Sequence, residues 1–335
     1  MFQPNHTFFK QIVLAVTLLQ CSSNLTAEVS PHYAEARKRF EKREYLLAML
    51  AAQKAVEEDG SNPTYLHLSG LILTELKQYT EADLRLRKAV SLDPTNAGYH
   101  YALAVMLHQQ RLQEPRTPVF QSGMSDDRTP NLRDKEILQC LEQAVQLDPN
   151  HLKARLRLGR LYQGQKMSRL AREQFLAIEK QDPTFPSVHY QLSSIYLNEG
   201  NLDAALRELT TEVKHHPEDA AARLELADLL LHTGLPQEAL KHLVSAEQID
   251  SELPDLHFAL AKAHRALGQL EKAAESARKC IALSPQLPAS HYLLGEIYAK
   301  QGDTQRARAE MEIFAKLKQQ LAEQLTDAYR SINRE

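Results

Sequence analysis

The chain has 335 residues and a formal net charge of −3 with both signs mixed along its length, which speaks against a nucleic-acid binder and its basic stripe. Its 3 cysteines are too few for a disulfide framework, and no two stand at metal-site spacing. Ala, Leu, Glu, Gln and Arg dominate over 11 Gly, 9 Phe and no Trp; all five are strong helix formers, so the chain reads as nearly all helix.

The N-terminus has the three-part layout of an export signal. Met1–Gln11 carries one charge, Lys10, an apolar run follows from Ile12 to Leu19, and a polar stretch with small residues runs from Cys21 to Ala27. The apolar run is far shorter than the roughly 20 residues a bilayer span needs. A signal peptide over 1–27, cleaved after Ala27, is the expectation, with a frayed N-terminal helix as its alternative. Leu18-Leu19-Gln20-Cys21 resembles a bacterial lipoprotein cleavage box. Gln20 is bulkier than the small residue that box has before Cys, so a lipid anchor at Cys21 is not expected.

From about Val29 onward one pattern returns eight times at an interval of 34 residues. Its ruler is the turn that ends each unit, among them Leu92-Asp93-Pro94, Leu147-Asp148-Pro149, Gln181-Asp182-Pro183, His215-His216-Pro217 and Leu283-Ser284-Pro285. Gly60 and Ser251 stand where the other units close with Pro. A period this long predicts a stack of small units rather than one globular core.

The third unit starts normally at Ala97, and its second helix resumes near Asp134 with Ile137, Leu141 and Ala144. Between them lies an insertion over about 112–132, containing Pro115, Pro118, Pro130 and Gly123, which reads as a loop. Loops of this length are usually functional or disordered. Composition favours disorder, and Val119 and Phe120 are the residues that could dock.

The unit Leu152–Phe185 shows the design best. Leu158 and Tyr162 share a face of a first helix, and Ala171, Phe175 and Ile178 make a stripe on a second. Small residues at Gly159 and Ala171 let the two backbones approach. In the sixth unit Gly234 makes the turn and Pro236 opens the second helix. Glu212 falls where other units place Ala89, Ala144, Ala246 or Cys280, so it either snorkels outward or weakens the fifth unit. No Gly or Pro follows Gly302, and Phe314, Leu317, Leu321 and Leu325 continue an apolar stripe. One long final helix is expected over 303–331, capping the stack.

Leu158-Gly159, Tyr162, Ala171, Phe175 and Pro183 resemble the tetratricopeptide repeat, whose pattern is Leu-Gly-x-x-Tyr, Ala-x-x-x-Phe and a closing Pro. The resemblance covers about 29–320. It implies an all-α, right-handed superhelical solenoid of eight helix-turn-helix repeats that binds a protein or peptide. It also implies a concave groove lined by the second, fifth, ninth and twelfth positions of each unit. Those positions give Lys153, Arg160 and Gln163, then Tyr190, Ser194 and Leu197, then Leu224, Asp228 and Leu231. Phe258, Lys262 and Arg265 follow, with Tyr292 and Glu296, and Tyr101 joins them as an aromatic of the third unit. The family's chaperone-binding members hold a C-terminal carboxylate with Lys and Asn, a set this chain lacks.

Histidine recurs at the fourth position of five units: His32, His100, His189, His257 and His291. Equivalent positions of neighbouring units stand at least one helix spacing apart, about 8–10 Å, whereas two imidazoles on one zinc need bonds of about 2.0–2.1 Å. No metal is therefore expected from this ladder. It reads as seam packing with a polar tip, and a collective response near pH 6 stays open. Cys140 and Cys280 read as small apolar residues on helix faces.

No His-Glu-x-x-His, Cys-x-x-Cys, Gly-x-Ser-x-Gly or phosphate-cradling glycine loop is found. The expectation is an exported, non-catalytic scaffold without a cofactor, periplasmic or secreted, with envelope assembly as the family analogy. Its rival is an accessory component of a cell-envelope enzyme system, or an enzyme with an unrecognised site.

Overall fold

Apolar residues recur at three and four between successive turns, and each such stretch forms a helix in the computed structural model, which describes residues 30–113 and 132–332. Sixteen helices and no strand form among the described residues. They come as eight pairs. These are α1 (Pro31–Glu41) with α2 (Tyr45–Glu58), α3 (Pro63–Glu75) with α4 (Tyr79–Leu92), α5 (Ala97–Gln113) with α6 (Leu132–Leu147), and α7 (Leu152–Gly164) with α8 (Ser168–Gln181). The others are α9 (Val188–Asn198) with α10 (Leu202–His215), α11 (Ala220–His232) with α12 (Pro236–Ile249), α13 (Pro254–Ala266) with α14 (Leu270–Leu283), and α15 (Pro288–Lys300) with α16 (Thr304–Ile332). The expected signal over 1–27, its cleavage after Ala27, Cys21, and Val119 and Phe120 of the insertion lie outside the described residues.

Two compact units form, one holding α1 to Leu158 and the other running from Gly159. In the first, α2 packs on α3 and α4 on α5; in the second, α8 packs on α9, α10 on α11, α12 on α13 and α14 on α15. Within each unit a pair thus covers the apolar side of its successor, which neither could bury alone.

Close approach within a pair depends on one position. Ala36, Gly70, Ala104, Gly159, Ser193, Ala227, Ala261 and Gly295 occupy it in turn, and all eight are buried. A methyl group on Gly159 would lie 2.4 Å from Cε1 of the buried Phe175, and one on Gly70 would lie 2.5 Å from Cγ of the buried Leu86. The chain reverses inside each pair through a left-handed residue at one recurring place: Arg43, Lys77, Lys166, Gly200, Gly234, Gly268 and Gly302. At the first three a side chain is held at positive φ, at a cost of about 1–2 kcal/mol each. The third pair carries its insertion there instead. Arg111 at the end of α5 and Asp134 in α6 form an ion pair across the insertion's two ends.

The turns between pairs share a second device. Asp59, Asp93, Asp148, Asp182 and Asp250 each accept a hydrogen bond from the backbone N–H two residues on, at 2.9 to 3.2 Å. These are Asx turns, which is why Asp punctuates the repeat. Six residues beyond the next residue's carbonyl stands the fourth-position side chain, and it donates to that carbonyl. His100, His189 and His257 do so through Nε2 at 2.8–2.9 Å, and His291 does so at 3.3 Å. Arg155 and Arg223 do the same through Nε at 2.7 and 2.8 Å. In four of the five units the recurring histidine is therefore a clamp on a carbonyl that helix geometry leaves free, whereas His32 lies 3.5 Å from Glu58.

Glu212 corrects its expectation. It does not snorkel: it is 0% exposed, and its carboxylate accepts from the backbone N–H groups of Ser187 at 2.8 Å and Tyr190 at 3.2 Å. Ser187 precedes α9 with φ of 68° and gives no side-chain cap, so Glu212 from α10 caps that helix instead. Cys140 and Cys280 are buried free thiols, the latter with Sγ 3.1 Å from Ser290 Oγ. In α16, Ala307 is buried and Phe314 meets Tyr292 with ring centroids 5.3 Å apart. Beyond Lys318 the helix is exposed through Asp327, Leu321 and Leu325 included. The part that covers the last pair is Thr304–Leu317.

Two expectations follow. Glu212→Ala restores the residue four other units carry, yet it should lower stability by about 2–3 kcal/mol, read from the urea midpoint, because two part-buried N–H groups lose their acceptor. His189 has its pKa raised overall: burial pulls it down, and the hydrogen bonds to Glu208 and the Pro183 carbonyl, with the charges of Glu208 and Glu179, more than offset this. A raised folded pKa contributes stability that is full below the unfolded value and fades as pH rises through the folded one. The stability gap between wild type and His189→Gln should accordingly narrow from about pH 5 to about pH 9; a gap that widens would reverse the assignment.

Candidate partner-binding face

The first helices of successive pairs touch one another, α1 with α3 and α3 with α5 in the first unit, α11 with α13 and α13 with α15 in the second. Their shared face is where the predicted partner-binding residues fall. Of these, Tyr101, Lys153, Arg160, Gln163, Tyr190, Ser194, Asp228, Phe258, Lys262, Arg265 and Glu296 are half-buried, and Tyr292 is exposed.

In the first unit the face is aromatic. Tyr33 stacks on Tyr65 with centroids 5.1 Å apart, Thr64 and Tyr99 share a hydroxyl contact at 3.2 Å, and Tyr101 lies 4.7 Å from the His151 ring. Arg157 donates through Nε to the Tyr101 hydroxyl at 3.1 Å. Burial, then the charge of Arg157, lowers the pKa of Lys153.

In the second unit it becomes a ladder of polar pairs, each joining one helix to the next. Gln163 Nε2 donates to Ser194 Oγ at 2.9 Å, and the Tyr190 hydroxyl to Glu225 at 3.4 Å. Lys262 Nζ meets Asp228 at 2.9 Å and lies 5.7 Å from the centre of the Phe258 ring, while Arg265 pairs with Glu296. Burial first, then the charge of Glu225, pushes the Tyr190 hydroxyl up to about 12. Burial, then the charge of Asp228, raises the Glu225 carboxyl.

The predicted cations of this face are engaged, Lys262 and Arg265 by neighbouring carboxylates, so it carries no open anion receptor at those two. Sequence reasoning missed Tyr33, Tyr65, Arg157 and above all Glu225, which lies next to a groove position rather than on one. Its signal was the spacing to Tyr190, 35 residues, one period plus one.

Helix pairs stacked in series with such a face define a class: the repeat scaffold for protein interaction. Three models of the tetratricopeptide repeat match the chain, over residues 190–254, over 70–110 with 261–302, and over 289–320. The chain belongs to the tetratricopeptide repeat family, whose members are generally non-catalytic scaffolds. Among solved structures, Pseudomonas aeruginosa pilF is similar at a TM-score of 0.57 and 18% identity, over 71% of this chain and 97% of that one. A tetratricopeptide repeat protein from Parabacteroides merdae is similar at 0.52 and 16%, over 79% and 97%. A chain of the Cut9-Hcn1 hetero-tetramer of the APC/C is similar at 0.53 and 14%, over 88% of this chain and 54% of that one. At such identities the likeness is one of fold. No curated protein matches the sequence. Among the described residues no helix is long and apolar enough to cross a membrane.

Because both ion pairs are part-exposed, Lys262→Ala and Arg265→Ala should each change stability by less than about 1 kcal/mol. Thermal melts check this, and a larger loss would mean the pairs hold the helices rather than line a surface.

Proposed function

We propose that the chain is an exported, non-catalytic scaffold whose first-helix face takes an extended segment of a protein partner, in the periplasm or outside the cell, in service of bacterial envelope assembly. The observation that carries the reading is the ladder of the second unit. Tyr190 and Tyr292 offer apolar rings with a polar hydroxyl, a residue type on which interfaces concentrate their energy, and Phe258 adds apolar area between them. Glu225 and Asp228 stand three apart on α11, Asp228 is paired with Lys262, and the Glu225 carboxyl is raised first by burial and then by the charge of Asp228. A basic side chain of the partner would pair with Glu225, with aromatic contacts on either side. The three-part N-terminus supports export, and the family supports binding over catalysis.

A photo-crosslinking residue at Phe258 tests the face in the producing cell. It should yield one discrete protein adduct, weakened by Glu225→Gln with Asp228→Asn. The same probe at Leu176, an exposed residue of α8, should yield none. The same adduct from both positions would sink the reading, and a turnover untouched by face substitutions would favour the enzymatic rival. Export has its own check. Mass spectrometry of the mature chain should find Glu28 at the N-terminus, whereas an intact Met1 or a lipid on Cys21 would count against it.

A further inference from the structure

At six boundaries a fourth-position side chain clamps a turn carbonyl, and at one of them the clamp sits between two carboxylates. His189, 3% exposed, donates from Nε2 to the Pro183 carbonyl at 2.9 Å. With that nitrogen committed as donor, Nδ1 faces Glu208 Oε2 at 2.7 Å. Glu179 arrives from α8, and the ligand atoms of Glu179, His189 and Glu208 all lie within 4.8 Å of one another. A ring nitrogen that donates to a backbone carbonyl while the other faces oxygen donors is the arrangement that orients a metal-bound imidazole.

The other repeats serve as internal controls. His291 has Glu310 at 2.7 Å from Nδ1, but Ile281 stands where Glu179 does. His257 has Glu247 at 3.9 Å in the place of Glu179, but Ser276 stands where Glu208 does. Lys279 also lies 3.7 Å from Glu247, and its counterpart near His189 is Thr211. The fifth pair alone brings two carboxylates to one imidazole, and among the described residues neither is paired with Lys or Arg. Even a protonated His189 leaves one negative charge unbalanced there. His215 packs edge-on against His189 with centroids 5.7 Å apart, and its buried Nδ1 has no hydrogen-bond partner among the described residues.

We infer that Glu179, His189 and Glu208 form a binding site for a divalent first-row metal ion, Zn²⁺ being the best fit, which clamps α8, α9 and α10 together. One nitrogen and two carboxylate oxygens match zinc, whose bonds to such ligands run about 2.0–2.2 Å. That length requires the two carboxylates to turn inward around the ion. The earlier objection to a histidine ladder does not apply, because no second repeat's imidazole is needed. The ion takes the place of the proton on Nδ1, so binding releases a proton and weakens as pH falls.

The test uses the untagged full chain, stripped with chelator and titrated with Zn²⁺ by calorimetry and with Co²⁺ by its visible absorption. One equivalent should bind, with Co²⁺ bands of low-coordinate intensity and a raised melting temperature. Glu179→Gln and Glu208→Gln should each weaken binding by roughly tenfold or more, and His189→Gln should abolish it, while His291→Gln leaves it unchanged. Circular dichroism separates loss of the site from loss of fold, and the two Glu→Gln variants preserve side-chain shape. No saturable binding, or binding that survives Glu179→Gln combined with Glu208→Gln, overturns the site. Neither result bears on the partner-binding face, which lies on other residues.

Discussion

Two helix backbones can come into contact only where no large side chain holds them apart, and the remaining structure depends on that one constraint. The position shared by Gly70, Gly159, Ser193 and Ala227 meets it in every pair. Across from it stand Leu86, Phe175, Leu209 and Leu243, all 0% exposed. Once the pair is closed, its outer stripe has a fixed shape, and the next pair can cover it. The period follows: each unit needs two helices, a reversal and a turn, and each turn must deliver the next helix to the same contact.

The boundary turns show how polar groups serve that geometry. An Asx turn by Asp, a proline that ends the helix and a side-chain donor to the freed carbonyl together satisfy the backbone where the helix cannot. Histidine and arginine are interchangeable here because the job needs only a reachable N–H. The fifth pair departs from the others: it opens on Ser187 in the left-handed region and takes its cap from Glu212 of the partner helix. The same pair gathers Glu179 and Glu208 around His189. Local irregularity and unusual charge thus coincide in one repeat.

The first-helix face carries its charges in pairs that cross from one repeat to the next. Such pairs contribute little stability when part-exposed. They do set a pattern of donors and acceptors, balanced at Lys262 and Arg265 and in acidic surplus near Glu225. A partner on the proposed face would have to match that pattern along several repeats at once, which is how a stack of near-identical units can acquire specificity.

Much of this was legible from the residues alone. Helix pairs, their number, the reversals and the closing turns are local properties, written as spacings of three and four, as Pro and Asp at boundaries, and as small residues where backbones meet. Glu212 and the histidines were misjudged or half-understood because their meaning depends on what lies across a helix interface, on a backbone N–H or a carbonyl that leaves no mark in composition. The same holds for Glu225 beside Tyr190 and for the meeting of Glu179 with Glu208 around one ring, residues 29 apart in the chain. Periodicity determines which residues can be neighbours; only packed helices decide which polar atoms find each other, because a side-chain contact is settled by a few ångströms that no spacing rule contains.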